Sequence, residues 1–210
     1  MALRGEFMGL EELTTRQLII DAGKREFLEK GFRGASLRNI AKSANVTTGA
    51  FYGYFSGKED LFSTIVKPCC AAVMCRFSRA RDSFFELPKK CDENAKIKSI
   101  DCINWMIDYM YDHYDVFKIL ICCSDGTKYE TFVHDMVEIE VDSTIEFIKK
   151  NYDNSPDIDK RLCHMIASGM FGGIFELIEH DMPKEQAKPF VSKLREFNHA
   201  GWLKLIELEK

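Results

Sequence analysis

Sulfur and imidazole supply the most conspicuous chemistry in this 210-residue chain, which carries eight cysteines and five histidines. Cys69-Cys70, Cys75 and Cys122-Cys123, taken with His113, His134 and His164, are donor types that bind soft metals or respond to oxidants. Their spacing argues against that use. No CxxC pair occurs, and neighbouring side chains on a helix point about 100° apart, so an adjacent pair chelates poorly. Met1 to Leu13 mixes charges and glycines without an apolar h-region, so no secretory signal is expected. The cysteines are then expected to be reduced and packed as small hydrophobes in a cytoplasmic protein. No metal and no cofactor are expected. Enzyme signatures are missing from the sequence as well: there is no Gly-rich phosphate loop, nucleophile elbow or HExxH. Asp108, Asp112 and Asp115 read as a solvated face, and the chain is not expected to be an enzyme.

The elements that would position any site are helical. Proline and glycine number only 5 and 13, and the apolar pattern follows a helical period nearly throughout. No run of about 18 apolar residues occurs, so no membrane-spanning helix is expected. A first helix is predicted from about Thr15 to Lys30, with Ile19, Ala22, Gly23 and Phe27 on one face. Gly31 can stop it in a left-handed conformation, with Phe32 supplying the hydrophobic contact that such a stop favours. Ser36 is placed as the N-cap of a short helix ending near Ala44, in which Leu37, Ile40 and Ala41 face inward. Asn45 fits a turn that needs positive φ, Val46 plugs the core, and Thr47 caps a third helix over Thr48 to Phe55. Residues 36–55 therefore read as helix, tight turn, helix, a pattern whose second helix can enter a DNA major groove. A fourth helix starts at Lys58, with Pro68 predicted to kink or end it and helix resuming to about Phe85. Longer helices follow at roughly 93–114, 116–123, 127–151, 157–181 and 184–208.

Charge is split along the chain. Residues 1–81 carry 13 Lys+Arg against 8 Asp+Glu, an excess of +5, while the rest carry 16 against 25, giving the net −4 of the whole. A basic head on an acidic body suits a protein in which only the head approaches phosphates.

The stretch Thr15–Phe62 closely resembles the DNA-binding domain of the TetR family. The resemblance lies in Ile19-Ile20-Asp21-Ala22, Phe27 to Phe32, Ser36 to Ala41, Ala44-Asn45-Val46-Thr47, Gly49 to Phe55 and Ser56 to Phe62. It implies an all-α dimer with a three-helix head over residues 1–62 and a ligand-binding and dimerisation bundle over 63–210. The chain would be a repressor that binds operator DNA and is released by a small apolar effector. Carried onto this chain, Ser36 and Thr47 would offer hydroxyls and N–H groups to phosphate at helix starts, and Arg38 would meet phosphate or a base edge. Thr48, Gly49 and Ala50 would open the recognition helix, with Gly49 allowing close approach and Ala50 meeting a thymine methyl. Tyr52, Tyr54 and Lys58 would contact the DNA backbone. Thr48 stands where the family often has a basic or other polar residue, Tyr54 where His is common, and Asn45 where Gly is usual.

The body resembles the family only in helix count and order. Gly169, Gly172 and Gly173 sit within the penultimate helix, where each costs about 1 kcal/mol against Ala. That cost points to close helix packing, and with Phe197 and Leu205 of the last helix they are the expected dimer interface. Trp105, Met106, Tyr109, Met110, Phe117, Met136, Met165, Met170 and Phe171 are the expected lining of an apolar effector pocket. Two other readings stay open: a helical dimeric adaptor without DNA binding, and a repressor that senses thiol oxidation or metal.

Overall fold

A computed structural model describes the backbone over residues 2–85, 93–151 and 158–208, and side chains over 14–82, 100–150 and 158–205. The described residues form nine helices and no strand: α1 (Ala2–Gly34), α2 (Leu37–Ser43), α3 (Thr48–Tyr52), α4 (Lys58–Phe85), α5 (Glu93–Asp112), α6 (Tyr114–Cys122), α7 (Phe132–Asn151), α8 (Lys160–Glu179) and α9 (Lys184–Leu208). The predicted all-α class and the order of the elements hold.

The chain divides into two compact units. The first, called the head below, reaches to Cys69 and also takes in Asp115–Glu130; the second, the body, holds Cys70–Tyr114 and Thr131–Lys210. A head confined to residues 1–62 was the sequence expectation. The difference arises because the segment around α6 is tied to α1 and α4. Phe32 N–H donates to the Cys123 carbonyl at 3.0 Å, Arg33 pairs with Asp125 at 3.0 Å, and the Ser63 and Tyr129 hydroxyls lie 2.6 Å apart.

In the head, Ile19, Ala22 and Phe27 are buried on the predicted face of α1. Gly23 belongs to the same face for a steric reason, since a Cβ there would lie 2.7 Å from Leu61 Cδ2. Gly31 takes φ 66°, which turns Phe32 onto Phe27 and Phe62 at ring-centroid distances of 6.1 and 5.3 Å. The turn before α7 is longer than predicted. Gly126 has φ 83°, and the buried Thr127 hydroxyl donates to the Ser124 carbonyl at 2.7 Å while accepting from Tyr129 N–H at 3.1 Å. Those bonds satisfy a non-helical backbone, so α7 begins only at Phe132.

In the body, α7 packs along α8, and α9 packs on α8 and α5. Asp159 caps α8, its carboxylate accepting from Arg161 N–H at 2.8 Å, which starts that helix later than predicted. The Arg161 guanidinium beside it holds the Asp159 pKa down to about 2. Pro68 lies inside α4 without ending it. Two stretches, Lys58–Asp82 and Lys160–Glu179, have the length and mean hydropathy of a membrane span. Part of each is buried in the protein itself, 33% of the first window and 39% of the second: Ile65, Val66, Cys69 and Val73 from the first, and Cys163, Phe171, Phe175 and Ile178 from the second.

Candidate nucleic-acid interface

α3 is five residues long and could not persist alone. It is held by one buried side chain, Phe51, and by its cap. The Thr47 hydroxyl accepts from Ala50 N–H at 3.0 Å, as predicted. Asn45 has φ 55°, and Val46 N–H then closes the turn onto the Ala41 carbonyl at 2.9 Å. Val46 is only half-buried, less of a plug than expected. Phe55, which the sequence placed at the end of α3, lies beyond a Gly53-Tyr54 turn but is buried 5.7 Å from the Phe51 ring.

With Phe51 turned inward, Thr47, Thr48, Gly49, Ala50 and Tyr52 face outward, and Tyr52 is 55% exposed. Tyr54 is half-buried. α2 presents Arg38 and Lys42 one turn apart, both exposed, over buried Ile40 and Ala41. An open concavity of about 430 Å³ between the two helices is lined by Arg38, Ala41, Lys42, Asn45, Val46, Thr47 and Thr48. The fold thus brings Arg38, Thr47 and Thr48 to one concave surface, with Gly49, Ala50 and Tyr52 on the exposed helix beside it. Lys42, which the sequence reading passed over, joins them.

Two residues differ from their expected settings. Ser36 occupies the N-cap position of α2, but its side chain makes no capping bond. Its N–H donates instead to Glu26 Oε1 at 3.0 Å, and Asn39 Nδ2 donates to the same oxygen at 3.2 Å. Glu26 of α1 therefore sets the start of α2, a role hidden by its separation in sequence. Lys58 Nζ donates to the carbonyls of Ala35 and Arg33 at 3.1 and 3.3 Å and lies 4.6 Å from the Phe32 ring centre. Its charge is already engaged in tying α4 to the end of α1.

A sequence profile described as "Bacterial regulatory proteins, tetR family" matches residues 19–65, the same elements that build this surface. Over 55 positions, 26% of each chain, the sequence is 49% identical to the HTH-type transcriptional regulator AcrR of Shigella flexneri. The chain spans between 25% and 42% of the length of the curated relatives it matches first. Solved structures extend the likeness in fold to nearly the whole chain. A TerR/AcrR-family transcriptional regulator from Aquifex aeolicus matches with TM-score 0.54 at 23% identity, covering 91% of this chain and 99% of that one. NalD of Pseudomonas aeruginosa, the secondary repressor of the MexAB-OprM multidrug efflux pump, matches with TM-score 0.55 at 19% identity, covering 89% and 96%.

The residues expected to line a pocket differ in burial. Met106, Met110, Met136 and Phe171 are buried, and Trp105, Tyr109 and Met170 are half-buried. Met165, in contrast, is 71% exposed, and Phe117 is buried within the head unit. Trp105 stacks on Tyr109 at 4.9 Å, with the Arg76 guanidinium 5.7 Å from the Trp105 ring centre. Glu140 was not anticipated here; burial pushes its carboxyl pKa up. Of the expected interface glycines, Gly169 and Gly172 have open space where a Cβ would stand. Gly173 instead makes room for α9, since its Cβ would lie 2.8 Å from Leu194 Cδ2. Phe197 is 77% exposed and Leu205 half-buried. Among the described residues the cysteines form no disulfide, Cys75 and Cys122 are exposed, and burial raises the pKa of Cys102, Cys123 and Cys163. Raised thiol pKa values keep those three protonated and unreactive.

Proposed function

We propose that this chain is a cytoplasmic, homodimeric transcriptional repressor that binds operator DNA through α2 and α3 and is released by a small apolar effector. The observation that carries the reading is the outward face Thr48, Gly49, Ala50 and Tyr52 beside the cations Arg38 and Lys42, within a segment that matches the tetR family. A short helix with small residues at its outer end admits close approach to base edges, while the flanking cations and tyrosine suit phosphate. Ser36 and Lys58 contribute by fixing the frame as much as by contact. A dimer is supported by α8 and α9, where Met165, Phe190 and Phe197 are exposed and Gly169 and Gly172 have open space beside them. A second copy laid on that face would bury it in a four-helix interface. The buried methionines and the Trp105–Tyr109 stack suit an effector with apolar or aromatic surface.

Gel-shift titration against the intergenic DNA beside its own gene, followed by selection from a random duplex library, tests the reading. Tight binding that falls steeply with salt is expected, with Arg38→Ala reducing the log–log salt slope by about 1. Failure of ligand-stripped dimer on both the fragment and the library would discard it in favour of a dimeric adaptor.

A further inference from the structure

One cluster among the described residues has the composition of a metal centre, and it contains none of the cysteines. His134 and Glu138 lie one turn apart on α7, and His164 comes from α8, which packs along it. One donor atom from each lies within 4.8 Å of the other two. His164 Nε2 is 3.2 Å from a Glu138 oxygen, and the two imidazole rings are 5.4 Å apart. The other nitrogen of His164, Nδ1, is 3.3 Å from the Ser168 hydroxyl. An outer hydrogen bond at that position orients a ligating imidazole, with Nε2 turned toward Glu138.

We propose that His134, Glu138 and His164 bind a divalent transition-metal ion of the Zn²⁺ class, joining α7 to α8, with water completing its coordination. Two imidazoles and a carboxylate favour zinc, cobalt or nickel over the oxygen-seeking calcium and magnesium. Ligand atoms about 2.0–2.1 Å from zinc stand roughly 3.3 Å from one another in a tetrahedron. His134 is exposed and can swing to close the widest gap. Lys160 stands 3.9 Å from Glu138, but its ammonium is held by Asp142 at 2.8 Å, which offsets its repulsion of a cation. The site departs from the sequence expectation of no metal, and it is independent of the DNA-binding reading because it lies wholly in the body unit.

The test uses tag-free, chelator-stripped full chain in reducing buffer, titrated with Co²⁺ under visible and near-ultraviolet absorption and with Zn²⁺ by competition. The expected result is one ion per chain, with cobalt d–d bands and no thiolate charge-transfer band. His164→Ala and Glu138→Gln should each weaken binding tenfold or more, Ser168→Ala should weaken it less, and Cys122→Ser should leave it unchanged. Zn²⁺ should raise the melting temperature of the wild type and not that of His164→Ala. Circular dichroism confirms that the variants are folded, and Glu138→Gln retains side-chain shape should His164→Ala fail to fold. No saturable binding below about 100 μM, thiolate bands, or binding that His164→Ala and Glu138→Gln both leave intact would overturn the proposal.

Discussion

α3 and α8 both turn small residues outward, and they are held in opposite ways. α3 has five residues and a single buried anchor, Phe51. α8 has twenty residues and buries seven, from Cys163 to Ile178. The outer face of α3, Gly49 and Ala50, is available to a partner only while one ring and one cap keep the helix in place. The outer face of α8, Gly169 and Gly172, rests on so much buried surface that changes there should alter the proposed association without endangering the fold. Stability and recognition are separable in the body and nearly inseparable in the head.

Phe51→Ala is the strongest way to break this contrast. Removing a fully buried phenylalanine costs about 3–5 kcal/mol, so loss of the head should be visible in chemical denaturation and should abolish DNA binding. Next come paired substitutions in α8. Gly173→Leu drives a side chain into Leu194 and should cost about 1–3 kcal/mol. Gly169→Leu meets open space and should leave monomer stability unchanged or raised while weakening self-association, as read by sedimentation. Equal destabilisation by the two would erase the distinction between the glycines. Thr47→Ala removes the cap of α3 and should cost about 1 kcal/mol, with a DNA-affinity loss that Thr47→Ser largely restores.

The smallest effect concerns Glu140. Its raised pKa means that the folded chain keeps a proton that the unfolded chain has already released, so stability falls as pH rises through the ordinary carboxylate range. Glu140→Gln should therefore melt higher than wild type at neutral pH, and the two curves should converge near about pH 4. Parallel curves at every pH would show that the carboxyl is not desolvated.

The parts of the head that follow from local sterics were legible in the residues. A glycine is needed where φ is 66° at position 31, an asparagine tolerates φ 55° at position 45, and a threonine suits the cap at 47. What escaped depends on contacts that leave no local signature. Glu26 reaches from α1 to the N–H of Ser36, and nothing near Ser36 announces it. Gly172 and Gly173 are neighbours in sequence, yet only the second lies under Leu194, a matter of helix rotation that composition does not encode. The same holds for Glu138, invisible as a partner of two histidines until α7 and α8 are set in register. Lys42 could have been found, since it repeats Arg38 one turn later on an exposed face.

The hydrogen bond from Phe32 N–H to the Cys123 carbonyl bears on the order of folding. α1, α2 and α3 meet through contacts close in sequence, which form fast, whereas the bond to Cys123 must close a long loop and pays its entropy first. During synthesis the segment proposed to read DNA can assemble early, but its support from residues 115–130 arrives only after residues 70–114 of the body have been made. Because that late clasp joins main chain to main chain, side-chain substitutions at either end leave its donor and acceptor in place.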